Sequence, residues 1–357
     1  MSAPSIPNLL SLLGGRGSRG RSRGGSTGTT TNQSSSSSHD ATIQGTDTDA
    51  SISRLSAVDL GYLRDPFASH FVTQRQRSSP TRRLPIINRG TYTRTTGIDF
   101  LVSKFLSSTD PTKPRQIISL GAGTDTRSLQ LFSSFAHQNI SYHEIDFPTM
   151  IGKKQFVICT ALWTLLSPLN PSSEPNTSST TYSFTRSPSN TLTLHPLDLR
   201  SLTQSLPLPN LSPSHPTLII SECCLCYLPP STTSQIISSL STHFPSSGII
   251  IYEPIEPHDA FGKMMVSNLA ARGIEMPTLE EYPTQASQEE RLRREGGFTQ
   301  VKSKTIDKVW DDWVSLVEKE RVDELEGGLD EVEEWKLLAG HYLIVWGWKG
   351  DGLEMRE

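Results

Sequence analysis

"ISLGAGTDTR", residues 118–127, decides the fold. An apolar run ends in Gly121-Ala122-Gly123 and a polar turn. A strand ends this way when its backbone must approach a ligand, with a helix amino end behind it. Taken alone, the same pattern also describes a buried strand with a tight turn. The third glycine of G-x-G-x-x-G is missing, and Thr126 stands there. That glycine serves packing around a pyrophosphate, so its absence weakens a dinucleotide reading and leaves room for a smaller adenosyl ligand.

Working outward, strand and helix signals alternate. "QIISL" (116–120), "SYHEID" (141–146), "TLTLHPLDL" (191–199), "TLIISECCL" (217–225) and "GIIIYEP" (248–254) read as strands. Helical candidates lie near 126–136, 149–166 and 231–243. Strands buried on both faces and joined by helices make a mostly parallel, doubly wound α/β sheet. "FTQVKSKTI" and "HYLIVWGWKG" flank a helical stretch at about 307–338 and suit an antiparallel pair closing the sheet edge. Upstream, "SRLSAVDLGYLRDPFASHFV" reads as short helices against the core. In "INRGTYTRTTGIDFLVSKFLSS" the second half reads as a helix, with Ile98, Leu101, Val102 and Phe105 on one face.

The chain has 357 residues, a net charge of -4 and a hydrophobic fraction of 34%, low because of two Ser-rich stretches. Residues 1–50 read as a disordered Gly/Ser/Arg-rich tail, and 51–357 as the folded domain. The first 39 residues carry Arg and no acid, as some transit peptides do. Residues 167–190 read as a low-complexity surface insertion. The charge makes a nucleic-acid surface no default, and no apolar run is long enough to span a bilayer. Of the four cysteines, Cys223, Cys224 and Cys226 share one short run. They read as too tightly spaced for a standard zinc site or for unstrained pairing, hence as reduced, buried thiols of an intracellular protein.

Four further positions carry candidate chemistry. Asp146 lies 25 residues after Gly121 at a strand's carboxyl end, near the spacing of an acid that binds ribose hydroxyls. Glu144 is its competitor on the same strand, and a helix cap before Pro148 is the plain alternative. Asp198 in "HPLDLR" can accept from an adenine amino group, with Leu199 beside it, or can form an ordinary Asx-turn. Glu222 interrupts an apolar run and so requires a partner, either a structural Arg or a ligand ammonium.

In order, "RDPF", "INRGTYTRTTGID", "ISLGAGTDTR", "YHEIDFP", "HPLDLR", "SECCLCYLPP" and "YEPIEPHDAFGKMM" resemble the leucine carboxyl methyltransferase family over roughly residues 50–350. These enzymes methylate the carboxyl terminus of the type 2A protein phosphatase catalytic subunit. The resemblance implies a Rossmann-like, seven-stranded sheet with a helical N-terminal cap, and S-adenosyl-L-methionine as cofactor. It implies that Arg94 pairs with the methionyl carboxylate, Gly121 admits the cofactor, and Asp146 holds the ribose. Asp198 and Leu199 would frame the adenine, and Glu222 would face the methionyl ammonium or the sulfonium. Arg54 aligns loosely with another basic cofactor contact. Thr91-Tyr92 replaces an aromatic pair that often follows "NRG" in the family.

A terminal carboxylate, with a pKa of about 3.5, is already ionised, so positioning rather than a general base should drive transfer. Tyr227 is placed to orient the acceptor, or is a core tyrosine. The helix with Met264, Met265 and Leu269 either covers the cleft or packs in the core. The expected partner is the phosphatase subunit, with no metal, membrane or nucleic acid, for a monomer in the cytoplasm and also the nucleus. A nicotinamide-dependent dehydrogenase, a carboxyl methyltransferase for a modified tRNA base and a non-catalytic scaffold are the rival readings.

Overall fold

This computed structural model describes residues 33–134, 139–162, 164–165, 167–168, 181–187, 189–350 and 353–357. Among the described residues nine strands form one sheet: β1 (Arg115–Leu120), β2 (Ile140–Asp146), β3 (Ser167–Pro168), β4 (Tyr182–Ser187), β5 (Asn190–Pro196), β6 (Thr217–Glu222), β7 (Ser247–Pro254), β8 (Gln300–Thr305) and β9 (Tyr342–Lys349). Their order is β3-β4-β5-β2-β1-β6-β7-β9-β8. Strands β5, β2, β1, β6 and β7 are parallel, β9 runs antiparallel to β7, and β8 antiparallel to β9.

The helices in chain order are α1 (Gln33–Asp59), α2 (Gln74–Ser78), α3 (Pro85–Ser108), α4 (Arg127–Ser133), α5 (Pro148–Ala161), α6 (Leu202–Ser205) and α7 (Pro230–His243). After β7 come α8 (Ala260–Ala270), α9 (Pro277–Glu281), α10 (Gln285–Gly296), α11 (Ile306–Trp313), α12 (Leu316–Asp323) and α13 (Val332–Gly340).

Alternation along the strands divides the core in two. Ile117, Leu218, Ile220 and Ile250 join α3, α5 and α11 residues such as Leu101, Ile158 and Val309 on one face. Ile118, Ile219, Ile249 and Ile251 join Ile236 and Leu240 of α7 and Leu292 of α10 on the other. Both faces are covered, which is why β1, β6 and β7 read as near-continuous apolar runs. The chain leaves β1 toward β2 on one side, and β6 lies on the other. The crevice at their carboxyl ends is where ligands bind in open α/β sheets.

The expected seven strands are all present, and the sheet is wider than expected. Strands β3 and β4, from the segment read as a surface insertion, add antiparallel pairing beside β5. The tail expectation also needs correction: α1 begins at Gln33, inside the stretch expected to be disordered. Residues 1–32 lie outside the described residues. Helix α1 is half-buried to exposed over 39–50 and becomes buried from Ser51, so the composition change at 51 marks burial, not the helix start. Helix α3 is likewise longer than its apolar pattern. Its first half buries Asn88, Arg89 and Tyr92, which bond to Ser56, Asp323 and Glu318.

One buried ion pair fixes the loop after β1. Lys154 of α5 and Glu144 of β2 pair with both side chains about 1% exposed. Ser128 Oγ donates to Glu144 Oε1 (2.7 Å), and Lys154 Nζ donates to the Asp125 carbonyl (2.5 Å). Removing one partner strands the other in a medium that cannot solvate it. Lys154→Met should therefore cost about 3–5 kcal/mol, and adding Glu144→Leu should recover part of that loss. Urea unfolding of the two variants checks this; equal stability of Lys154→Met and the parent would remove the pair from the account.

Candidate active site

A cavity of about 780 Å³ opens at the carboxyl ends of β1, β2 and β6. Arg54, Arg94, Gly121, Asp146, Asp198, Leu199, Glu222 and Tyr227 all line it. The residues singled out in the sequence are thus brought together, although they span 174 positions from 54 to 227.

The glycine loop forms the floor. Gly121 and Gly123 have φ of 62° and 45°, in the left-handed region that disfavours side chains. A Cβ on Gly121 would collide with the Cys224 thiol, and one on Gly123 with the Asp47 carboxylate. The backbone amide of Gly121 donates to the Ile145 carbonyl (2.8 Å), tying the loop to β2.

Asp146 accepts from the Gly123 amide through Oδ2 (2.7 Å) and from the Phe147 amide through Oδ1 (2.6 Å). Burial pushes its carboxyl up to about 6, against the pull of those two amides and with the help of nearby Asp47. Glu144, its competitor in the sequence, is committed to Lys154 and Ser128 and does not line the cavity. Asp198 caps the short turn after it, accepting from the Arg200 amide (2.9 Å), and takes the Arg200 guanidinium as well. Burial raises its carboxyl, but the Arg200 hydrogen bonds outweigh that and hold it below its ordinary value. The Asx-turn and the cavity wall are here the same residue.

Glu222 finds the arginine partners that its position demanded. Arg94 Nε lies 2.8 Å from Oε1, and Arg127 Nη2 lies 3.4 Å from Oε2. Arg127 also reaches Asp99 (2.6 Å) and Asp125 (2.5 Å), while Arg54 pairs with Asp65 (3.3 Å) and Asp125 (3.5 Å). The Arg94 guanidinium lies over the Tyr252 ring (5.5 Å), and Tyr252 stacks on Tyr342. Burial raises the Tyr227 phenol well above its ordinary value, so it stays a neutral donor.

Sequence reasoning missed several wall residues. Asp125 lines the cavity and Arg127 pairs with it from behind; both stand in the opening stretch, and their signal was a charged pair just after the glycines. Asp40, Ile43, Gln44, Asp47 and Asp49 of α1 line the cavity from a segment whose composition hides them. Asp47 accepts from the Thr124 amide (2.7 Å) and hydroxyl (2.9 Å), Gln44 from Thr149 (2.6 Å), and Asp40 from Arg200 (2.7 Å). Met264, Met265 and Leu269 do not line the cavity. Met265 packs with Phe261 and Leu279 behind the wall formed by Leu338 and Tyr342, so the packing reading holds there. Among the lining residues Asp40, Asp47, Asp49, Asp125, Asp146, Asp198, Glu222 and Glu275 outnumber Arg54, Arg94 and Arg200, which suits a cationic ligand.

The sequence profile described as "Leucine carboxyl methyltransferase" matches residues 43–241. Leucine carboxyl methyltransferase 1 of Aspergillus fumigatus is 47% identical, covering 98% of this chain and 94% of its own length. Its Emericella nidulans counterpart is 44% identical, over 98% and 95%. The chain belongs to the leucine carboxyl methyltransferase family. As a family member it is an enzyme that methylates a carboxyl group, which removes the dehydrogenase and scaffold readings. Among solved structures, magnesium protoporphyrin IX methyltransferase of Synechocystis PCC 6803 with bound SAH is 10% identical with a TM-score of 0.40, over 77% of this chain and 92% of that one. No helix among the described residues is long and apolar enough to cross a membrane, and no group of three His, Cys, Asp or Glu there is arranged to hold a metal.

The raised carboxyl of Asp146 makes a pH prediction. A carboxylate accepts from both ribose hydroxyls of an adenosyl ligand, and its protonated form loses part of that capacity. Affinity for S-adenosyl-L-methionine should be highest above pH 6 and fall by up to about tenfold per unit below it. Asp146→Asn should bind more weakly at every pH and show a flatter profile. Calorimetric titrations from pH 8 to 5 test both; a parent profile without a bend near 6 would contradict the role.

Proposed function

We propose that this enzyme transfers a methyl group from S-adenosyl-L-methionine to the terminal leucine carboxylate of the type 2A protein phosphatase catalytic subunit, forming a methyl ester. Family membership supports the reaction class. The observation that carries the site reading is the Arg94–Glu222 pair in the cavity wall. A methionyl group is a zwitterion, and this pair offers the opposite charge for each of its ends. The planar guanidinium of Arg94 suits the carboxylate, and Glu222 suits the ammonium. Arg94 meets Glu222 through Nε, so its terminal amino groups are the donors assigned to that carboxylate. Gly121 leaves room for the close approach, Asp146 takes the ribose hydroxyls, and Asp198 with Leu199 flanks the adenine.

Bound in this way, the cofactor supplies an electrophilic methyl on a sulfonium. The rest falls to this chain's own residues. The acceptor carboxylate is ionised at neutral pH, so no residue need take a proton from it. The task is to hold one carboxylate oxygen in line with the methyl at about 3–3.5 Å. Tyr227, a neutral phenol at the cavity wall, donates to that carboxylate. Ile306, Trp335 and Leu338 give the same cavity an apolar end that suits a leucine side chain. The acidic wall disfavours an anionic acceptor until the sulfonium is in place, so the donor binds first. Helix α1 and the residues after it act here as one methyltransferase domain, a monomer working in the cytoplasm and nucleus, with selectivity from docking the folded phosphatase.

Labelled S-adenosyl-L-methionine and purified phosphatase catalytic subunit, with and without its terminal leucine, test the acceptor. Alkali-labile label on the intact subunit alone is expected. Label on neither, with the cofactor still bound, would discard this acceptor. Arg94→Ala should raise the KM for the cofactor about 10- to 100-fold, the loss of a charged hydrogen bond worth about 1.5–3 kcal/mol, and Arg94→Lys should restore part of it. An unchanged KM in Arg94→Ala would rule out the carboxylate role.

A further inference from the structure

The three clustered cysteines play no part in the reaction above. Cys223 and Cys226 are separated by two residues, directly after Glu222. This spacing closes disulfides in thiol oxidoreductases, so the expectation of strained pairing does not extend to it. The turn is held by its backbone. Cys223 has φ 47°, a left-handed conformation rarely taken by a non-glycine, and its amide donates to the Tyr252 carbonyl (2.9 Å). The Leu225 amide donates to Ser221 Oγ (3.3 Å), and a short helical turn follows over Leu225–Tyr227. The Cys223 thiol is near enough to help raise that of Cys226. Cys223 is half-buried and lines the cavity, whereas Cys226 is fully buried. One thiol can be reached through the cofactor cavity, and the second waits behind it.

We propose that Cys223 and Cys226 form an oxidation site at which a peroxide entering the cavity closes a reversible disulfide. The Cys223 sulfur attacks one peroxide oxygen. The O–O bond breaks, Cys223 becomes a sulfenic acid, and the other oxygen leaves as water with the thiol proton. The Cys226 sulfur then attacks the Cys223 sulfur. The S–S bond forms, the S–O bond breaks, and the hydroxyl leaves as a second water with the Cys226 proton. Two thiols and one peroxide give one disulfide and two waters. Burial pushes the Cys226 thiol up, which keeps it protonated and assigns it the second step. Cys224 is turned against Gly121 instead. Closing a bond of about 2.05 Å draws Cys223 away from the wall it shares with Glu222 and Tyr252. Oxidation then weakens cofactor binding, and bound cofactor shields Cys223. This consequence rests on the cofactor placement proposed above; the oxidation site itself does not.

The test treats the full chain with hydrogen peroxide, with and without S-adenosyl-L-methionine, and maps thiols by non-reducing peptide fragmentation. The expected result is a Cys223–Cys226 link with loss of two hydrogens, reversed by dithiothreitol, and several-fold slower with cofactor present. Cys226→Ser should keep the activity of the untreated enzyme and stop at a sulfenic acid on Cys223 that dimedone traps. Peroxide that oxidises Cys159 and leaves both Cys223 and Cys226 free overturns the proposal, as does a Cys223–Cys224 link. A Cys223–Cys226 link forming equally fast with and without cofactor upholds the oxidation site and counts against the cofactor placement.

Discussion

Arg127 is the constraint around which the site is built. Its guanidinium, buried at the start of α4, is shared by Asp99 of α3, Asp125 of the glycine loop and Glu222 of β6. Three separate pieces of the cavity wall are set by one planar group that cannot lose its charge. Burying it is costly, and the three carboxylates offset that cost only in this arrangement. Glu222 is held on its other oxygen by Arg94, so the residue facing the proposed ligand is positioned from behind by Arg127. The glycine loop is fixed in a similar way, with Lys154 on the Asp125 carbonyl and Arg54 on its carboxylate.

Against this rigid floor, α1 makes a different kind of contact. From Ser51 it packs into the core through Arg54, Leu55, Ser56 and Ala57. Before Ser51 its ties are polar: Asp40 to Arg200, Gln44 to Thr149, Asp47 to Thr124, and Asp49 to Arg83 and Arg272. No residue of 39–50 is buried. Ion pairs that solvent can reach are each worth little, so this half of the helix depends on the cavity rim for its order. A Ser/Thr-rich sequence with little apolar surface is adequate there, because charge and not burial places it.

This difference explains what could be read from the sequence. Strands β1, β6 and β7 are buried on both faces and announced themselves as apolar runs. Gly121, Asp146 and Glu222 stood out because each breaks a local rule: a glycine at a strand end, an acid at a strand's carboxyl end, a charge inside an apolar run. Arg127 and Asp125 broke no such rule, since a charged pair after a turn is ordinary, and their importance depends on distant partners. The first half of α3 was hidden because Asn88, Arg89 and Tyr92 are buried polar residues, and apolar periodicity does not register them. Helix α1 was hidden because composition reports whether a segment can pay for its own ordering, not whether a neighbour supplies charges for it.

The cavity also joins two chemistries that oppose each other. Its acidic wall suits a sulfonium, yet the proposed acceptor is an anion. The neutral phenols of Tyr227, Tyr252 and Tyr342 resolve part of this conflict, since burial raises all three and keeps their protons in place. A phenol can donate to a carboxylate without adding charge to the site. The apolar group of Ile306, Trp335 and Leu338 contributes no charge either. Trp335 is itself supported by Arg89, whose guanidinium lies 5.5 Å from its ring and 4.7 Å from that of Trp310. Attraction for the acceptor must then come mainly from the bound sulfonium and from protein surface outside the cavity. A short peptide can draw on only the first of these, whereas a folded protein can draw on both.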